Sequence, residues 1–110
     1  MKKIFITYIL FTAGILKAQT VYSSDSPFSA DLKVYVVDSK FRADLSVYRV
    51  DNSFQVKGNK GLWYFTDSPF RADKKIYFTD SPFSADLKIY FVDSKFRAGW
   101  ERSAKKHLMY

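Results

Sequence analysis

A 13-residue motif recurs six times in this chain of 110 residues, and it constrains the fold more than any other feature. In each copy an apolar residue precedes Tyr, Asp follows that tyrosine three positions later, and Phe follows the Asp after three more. The spacings between successive register tyrosines are 13, 13, 16, 13 and 13 residues, so the copies form two runs of three. These tyrosines are Tyr22, Tyr35, Tyr48, Tyr64, Tyr77 and Tyr90.

The first half of each copy is predicted to be a β-strand. Segments such as 33–37 and 75–79 are rich in β-branched and aromatic residues and lack a helical period. The Asp-Ser pair that follows is typical of a turn, because an Asp side chain can hydrogen-bond the backbone two residues on. We expect the phenylalanine after this turn to re-enter the core. After residue 18 we expect no helix longer than one turn.

The 16-residue spacing marks the centre of the domain, because it contains the glycine-rich turn at 58–61. Repeats 1–3 then occupy 20–57, repeats 4–6 occupy 62–99, and a C-terminal tail covers 100–110. The pattern predicts an all-β fold in which the chain runs three edges, turns, and runs three more. This geometry is a two-turn triangular ring, with edge n against edge n+3 and a pseudo-twofold between the halves.

Residues 1–18 resemble a signal peptide and not a part of the fold. Lys2 and Lys3 precede a largely apolar run at 4–16, and Ala18 offers a small residue for cleavage. The run is shorter than the roughly 20 apolar residues that span a bilayer. We expect a single domain at 19–110 that is periplasmic or secreted and keeps no stable membrane span after processing. The alternative is an uncleaved membrane anchor.

The charge of the domain argues against a nucleic-acid partner. The whole chain carries +7 from 18 basic and 11 acidic residues. Three of the lysines lie in residues 1–18, so 19–110 carries 15 basic and 11 acidic residues, or +4. Nucleic-acid binders usually concentrate basic residues far more strongly on one face. Lysine and aromatic residues also interleave at 88–91, which could be a base-stacking surface. The favoured interpretation is that the aromatic residues belong to the core and the lysine protects a strand edge against aggregation.

The regularly placed aspartates are interpreted as structural residues. Calcium loops need several oxygen ligands within a few residues. Within each run of repeats, neighbouring aspartates are six or seven residues apart, and Phe and Ala lie between those that are six apart. Turn formation is therefore the favoured explanation, cation binding is the alternative, and no metal or other cofactor is expected.

Enzymatic chemistry has few candidate residues. The chain has no Cys, one histidine (His107) and one glutamate (Glu101). A Ser-His-Asp arrangement stays open on composition, but it would need His107 held by a third group and facing a pocket. A solvated or capping role is favoured for His107. We therefore predict no catalytic residues.

Five residues are candidate contacts for a ligand or partner. Trp63 and Trp100 interrupt the repeat near the central turn and the C-terminal exit, where they could be exposed platforms for glycans. The favoured interpretation is that they plug the ends of the ring, where a neighbouring repeat is missing. Lys105, Lys106 and His107 belong to a basic tail whose apolar end, 108–110, is typical of a docking segment.

Four segments, at 34–44, 61–68, 76–86 and 98–110, resemble a family of small bacterial repeat proteins that contains the seven-crossing (septoil) torus-knotted protein. The resemblance covers 20–110. It implies that the two turns of the ring are intertwined in a deep torus knot, although ordinary folds avoid threading. It implies no activity.

The function expected from the sequence is a non-enzymatic, exported structural or interaction module that its topology stabilises kinetically. Its partner would be an unknown protein or an envelope component. One alternative is a module that binds an envelope polymer or glycan through exposed Trp and Tyr. The other is a small hydrolase around His107.

Overall fold

A computed structural model describes residues 19–52 and 60–109. These residues form strands joined by short 3₁₀ turns. The strands are β1 (Gln19–Ser23), β2 (Leu32–Val36), β3 (Leu45–Arg49), β4 (Leu62–Phe65), β5 (Lys74–Phe78), β6 (Leu87–Phe91) and β7 (Gly99–Trp100). The 3₁₀ segments are Pro27–Ser29, Lys40–Arg42, Pro69–Arg71, Pro82–Ser84, Lys95–Arg97 and Ser103–Met109.

Six strands close into a parallel barrel. The order around it is β4-β1-β5-β2-β6-β3, and pairing of β3 with β4 completes the ring. The short strand β7 adds to β3 in the antiparallel direction. Closure leaves the six parallel strands without a free edge between them. The all-β prediction is therefore confirmed at the level of this barrel.

Strands from residues 19–52 alternate around the barrel with strands from residues 60–109. The expected pairing of edge n with edge n+3 is present as β1–β4, β2–β5 and β3–β6. Each strand has a second neighbour from the other group, in the pairs β1–β5, β2–β6 and β3–β4. Each strand of one half is therefore held between two strands of the other half.

The main core consists of the residue that precedes each register tyrosine, the leucines that begin β2, β3 and β6, and Met109. The residues that precede the tyrosines have no exposed surface: Val21, Val34, Val47, Trp63, Ile76 and Ile89. Because side chains alternate across a strand, the tyrosines that follow lie on the outer side of the barrel and are half-buried. The barrel interior is thus filled by aliphatic side chains and one tryptophan.

The prediction that the repeat phenylalanines re-enter the core is wrong. Phe28, Phe70 and Phe83 are at least 96% exposed, and Phe41 and Phe96 are 81% and 84% exposed. The reason is that the segment after each turn runs over the outside of the barrel, so its most outward residue points to solvent. The sixth phenylalanine, Phe54, lies outside the described residues.

The C-terminal tail also differs from the expectation of no helix longer than one turn, because Ser103–Met109 forms a 3₁₀ helix of seven residues. At three residues per turn this is about two turns. The end of the tail packs into the core of the same domain. Met109 is fully buried in the core, and its carbonyl oxygen accepts a hydrogen bond of 2.8 Å from Gln19 Nε2. Burial of Met109 and its hydrogen bond with Gln19 hold the end of the tail against the start of β1.

Gly61 begins the second half of the barrel in a conformation that requires glycine. Its φ is +88°, in the left-handed region. A Cβ at this position would collide with the carbonyl oxygen of Ser46 and lie 2.9 Å from the Gly99 nitrogen. The rest of the central turn, at 58–59, and the predicted signal peptide at 1–18 lie outside the described residues. No helix within 19–52 or 60–109 has the length and apolar character to cross a membrane.

Candidate interaction surface

Five connections, at 24–31, 37–44, 66–73, 79–86 and 92–98, carry the chain across a strand of the other half, and we call them the corner loops. In the first, Ser24 N–H donates to the Ile76 carbonyl oxygen and Asp31 N–H donates to that of Lys75, each at 2.7 Å. Strand β5 lies between β1 and β2. The exposure of Phe28 places the loop on the outside of β5.

Stagger of the strands explains how loops this short can join parallel strands, which usually need a dozen or more residues. Ser23 at the end of β1 pairs with Ile76, and Leu32 at the start of β2 pairs with the same residue from the other side. The two strand ends are therefore level on β5. The loop has only to pass over a single strand.

A serine begins each of these five turns, and in four of them its side chain caps the turn. Its hydroxyl oxygen accepts a hydrogen bond of 3.2–3.3 Å from the phenylalanine N–H two residues on, at Ser26, Ser39, Ser81 and Ser94. This is the capping role that Ser favours at the start of a helical turn. Three turns also begin with proline, whose fixed φ suits this position. The sequence thus fixes each phenylalanine at the outermost point of its loop.

An aspartate ends four corner loops and fastens each to the strand beneath it. Its N–H donates to the carbonyl oxygen of one strand residue, and its Oδ2 accepts from the N–H of the same residue, all at 2.7–2.9 Å. We call these reciprocal pairs the Asp clamps. They join Asp31 to Lys75, Asp44 to Lys88, Asp73 to Thr20 and Asp86 to Lys33.

In each clamp a carboxylate oxygen that could have bound a cation, the alternative interpretation of these aspartates, instead accepts a backbone hydrogen bond. Each clamp gives a hydrogen-bond partner to a strand N–H that would otherwise lack one. These N–H groups lie where a strand passes from pairing with one neighbour to pairing with the other. Across residues 19–52 and 60–109, no three His, Asp or Glu side chains gather in a group that could hold a metal ion. The described arrangement of these aspartates is structural.

The exposed phenylalanines differ in the residues that flank them. Phe28 and Phe83 stand between Pro and Ser, whereas Phe41 and Phe96 stand between Lys and Arg. Lys40 Nζ lies 6.0 Å from the Phe41 ring centroid, and Lys95 Nζ lies 5.9 Å from that of Phe96. These distances fit cation–π contacts. Arg42 and Arg97 are 3.5 Å and 3.3 Å from Asp38 and Asp93 in exposed ion pairs.

Charge is therefore distributed unevenly around the barrel. The loops over β6 and β3, at 37–44 and 92–98, each carry two basic residues, against two acidic residues in the first and one in the second, so their net charges are 0 and +1. The loops over β5 and β2, at 24–31 and 79–86, each carry two acidic residues and no basic one, a net −2. Since β6 and β3 are neighbours, the two Lys-Phe-Arg corners lie side by side.

A groove of about 710 Å³ separates these two corners. Phe41 and Phe96 line its walls, and Tyr90 and Val92 lie between them. Asp38, Ser39, Lys40 and Arg97 contribute polar groups to the same groove. Tyr90, a register tyrosine, thus forms part of a surface groove and not of the barrel interior.

A second groove, of about 400 Å³, lies on the other side of Phe41. Three cationic side chains line it: Arg42, Lys88 and Arg102. Arg102 is held in place by hydrogen bonds from its Nη1 to the Ala43 carbonyl oxygen and from its Nη2 to that of Phe41, at 3.1 and 2.9 Å. No acidic side chain lines this groove.

The five residues that sequence analysis proposed as contacts do not form one site. Trp63 is fully buried in β4, so its expected role as a surface contact is corrected: the side chain belongs to the barrel core. Trp100 is half-buried in β7 and packs against that core. In the tail, Lys105 Nζ donates to the Asp86 carbonyl oxygen at 2.8 Å. Lys106 is half-buried and His107 is exposed.

The surface that does unite aromatic and basic residues was missed in the sequence. The expectation that the repeat phenylalanines re-enter the core puts Phe41 and Phe96 inside the barrel. The available signal was the difference in flanking residues: Lys-Phe-Arg twice, against Pro-Phe-Ser twice. Surface turns tolerate such variation, and Lys and Arg on both sides of a phenylalanine favour exposure of the whole segment, since both residue types are mostly exposed.

Comparison with known proteins identifies the family. The family model described as the 7(1) septoil knot domain matches residues 18–101, which include all seven strands. A search of curated proteins and a search of solved structures gave no match. The matched region includes the barrel, the corner loops and the four Asp clamps. The chain therefore belongs to the family of 7(1) septoil knot domains.

Proposed function

We propose that this domain is a non-enzymatic structural or interaction module whose threaded topology protects it from unfolding. The observation that carries the proposal is the anchoring of each corner loop on both flanks of a strand from the other half. In the first loop, Ser24 and Asp31 bond to consecutive carbonyl groups of β5. To leave the fold, this loop must release both bonds and pass around the strand.

The proposed topology is a seven-crossing torus knot formed by six copies of the repeat. Five corner loops pass over strands β5, β6, β1, β2 and β3 in turn. Each supplies one crossing between the two halves. Membership of the 7(1) septoil knot family supports the full count of seven crossings. A pseudo-twofold relation of two triangular turns is consistent with the alternating strand order.

Export from the cell would explain why a topology that slows unfolding is useful. We propose that residues 1–18 are removed as a signal peptide and that the domain acts in the periplasm or outside the cell. A domain without cysteines cannot rely on disulfides there. A high barrier to unfolding offers protection against proteases by a different route. The partner is a protein or envelope component that binds the outer surface of the barrel.

The rate of unfolding tests the proposal. Small two-state domains unfold in water with rate constants from roughly 10¹ to 10⁻⁶ s⁻¹. We expect this domain to lie at or below the slow end of that range, as measured by rapid dilution into guanidinium followed by Trp fluorescence, and to resist protease over the same period. An unfolding rate equal to that of unknotted β-domains of similar size, or ready cleavage within the strands, would contradict it.

A further inference from the structure

We infer that the side of the barrel formed by the corner loops over β6 and β3 binds membranes that carry anionic lipid headgroups. This basic side comprises Lys40, Phe41, Arg42, Lys95, Phe96, Arg97 and Arg102. The inference deepens the proposed interaction role by naming its partner. It is separate from the proposed slow unfolding, which can hold whether or not the domain binds lipid.

Shape favours a lipid surface over a small ligand. Phe41 and Phe96 are more than four-fifths exposed, at the outermost points of their loops. A pocket for a small ligand would enclose such rings on several sides. Protruding aromatic side chains with basic neighbours are instead typical of proteins that lie at a membrane interface, where the ring enters the acyl boundary and the cations stay at the headgroups.

Charge complementarity identifies the lipid as anionic. On the basic side, Lys40 and Lys95 accompany the two phenylalanine rings at about 6 Å. Beside Phe41, the groove lined by Arg42, Lys88 and Arg102 contains no acidic side chain and has room for a phosphate headgroup. Anionic leaflets attract basic residues that lie within a Debye length of the surface.

The corner loops over β5 and β2 supply a built-in comparison: β5 lies across the barrel from β3, and β2 lies beside β6. Phe28 and Phe83 are even more exposed than Phe41 and Phe96, but no basic residue flanks them and each of their loops carries two aspartates. If exposed phenylalanine alone drove binding, both sides would contact the bilayer. If cations and phenylalanine act together, only the basic side will.

The absence of cysteine from the chain allows a site-specific test in the full-length protein. Single variants Phe41→Cys, Phe96→Cys, Phe28→Cys and Phe83→Cys each carry one environment-sensitive fluorophore and keep the other phenylalanines. Each is mixed with vesicles of phosphatidylglycerol and phosphatidylcholine, or of phosphatidylcholine alone. We expect a blue shift at positions 41 and 96 with the anionic vesicles only, and an unchanged water-exposed spectrum at positions 28 and 83.

Local readout separates contact by the basic side from any tethering through residues 1–18, because tethering alone does not select between positions 41 and 28. The shift at position 41 should vanish in 1 M salt, where the Debye length is about 3 Å. In the Lys40→Gln/Lys95→Gln background, the ratio of contacting to free label at position 96 should fall about thirtyfold, at roughly 1 kcal/mol for each lysine.

Four outcomes would overturn the inference. They are no shift at any position, equal shifts at positions 28 and 41, a shift with phosphatidylcholine alone that survives high salt, and a shift produced by soluble polyglutamate without vesicles. The last result would assign the surface to an acidic macromolecule. Circular dichroism and the unfolding rate of each labelled variant confirm that the barrel is intact, so loss of fold cannot imitate loss of binding.

Discussion

Asp31 and Lys75, which are 44 residues apart, bind each other twice. The Asp31 N–H donates to the Lys75 carbonyl oxygen at 2.7 Å, and the Lys75 N–H donates to Asp31 Oδ2 at 2.8 Å. The pair fastens a loop of the first half onto a strand of the second. The same geometry at Asp44, Asp73 and Asp86 fastens three more loops.

Removing the carboxylate of one clamp tests this relationship. Asp31→Ala leaves the Lys75 N–H without its partner, so we expect the free energy of unfolding to fall by about 1–2 kcal/mol. The Lys75 amide should also exchange its hydrogen faster, as measured by NMR. Asp25→Ala, at an exposed turn position of the same loop, is the matched control and should change stability by less than about 0.5 kcal/mol. Equal effects of the two changes would exclude a special role for the clamp.

The clamp at Asp44 should matter more than the clamp at Asp31. Asp44 is buried, accepts from the Lys88 N–H at 2.9 Å, and lies 3.8 Å from Arg102 Nη1. Asp44→Ala therefore leaves a more enclosed N–H unsatisfied, and we expect a loss of about 2–3 kcal/mol. Chemical denaturation of Asp44→Ala and Asp31→Ala side by side gives the comparison. A smaller loss at Asp44 would mean that burial does not set the strength of the clamps.

Truncation should lower the free energy of unfolding strongly at a core position and hardly at all at a corner position. Ile89 is fully buried between strands, so Ile89→Ala should cost about 2–5 kcal/mol through lost burial and the cavity left behind. Phe28→Ala removes a larger side chain, yet it should change stability by less than about 0.5 kcal/mol because the ring is 96% exposed. Thermal denaturation distinguishes the two. A large loss for Phe28→Ala would show that the corner phenylalanine packs against the barrel after all.

Alanine substitutions at Gly61 and Gly99 distinguish the cost of a strained backbone conformation from the cost of a steric clash. Both have positive φ, at +88° and +152°, so alanine at either position pays about 1–3 kcal/mol for its backbone conformation. Only Gly61→Ala also drives a methyl group into the Ser46 carbonyl, since nothing lies within 4 Å of a Cβ at Gly99. We expect Gly61→Ala to be clearly the more destabilising in urea denaturation. Equal losses would imply that the start of β4 shifts easily.

Local chemistry made the strands and turns predictable. An apolar residue before each register tyrosine marks a strand, and the Asp-Ser pair marks its end, as at Val34 and Asp38. Edge n against edge n+3 also followed from the two runs of three and is confirmed by the β1–β4, β2–β5 and β3–β6 pairs. Each of these features depends on residues close in sequence or on the repeat register.

The layer in which each segment lies was not predictable in the same way. Phe41 has the periodicity of a core residue, but its loop crosses outside β6, and only the three-dimensional path of the chain decides that. The Asp clamps were equally hidden, since the partner of Asp31 lies 44 residues away on a strand of the other half. Composition did not reveal the basic side either, because its charges come from loops far apart in the chain.

Mechanical extension tests the threading of the two halves most directly. The 110-residue chain, held by handles at its two ends and pulled in optical tweezers, would reach roughly 360–400 Å if it extended fully at 3.3–3.6 Å per residue. A knot tightens under load and retains residues, so we expect the unfolded chain to stop short of this length in every trace. Extension to the full length after unfolding would show that the halves are not threaded.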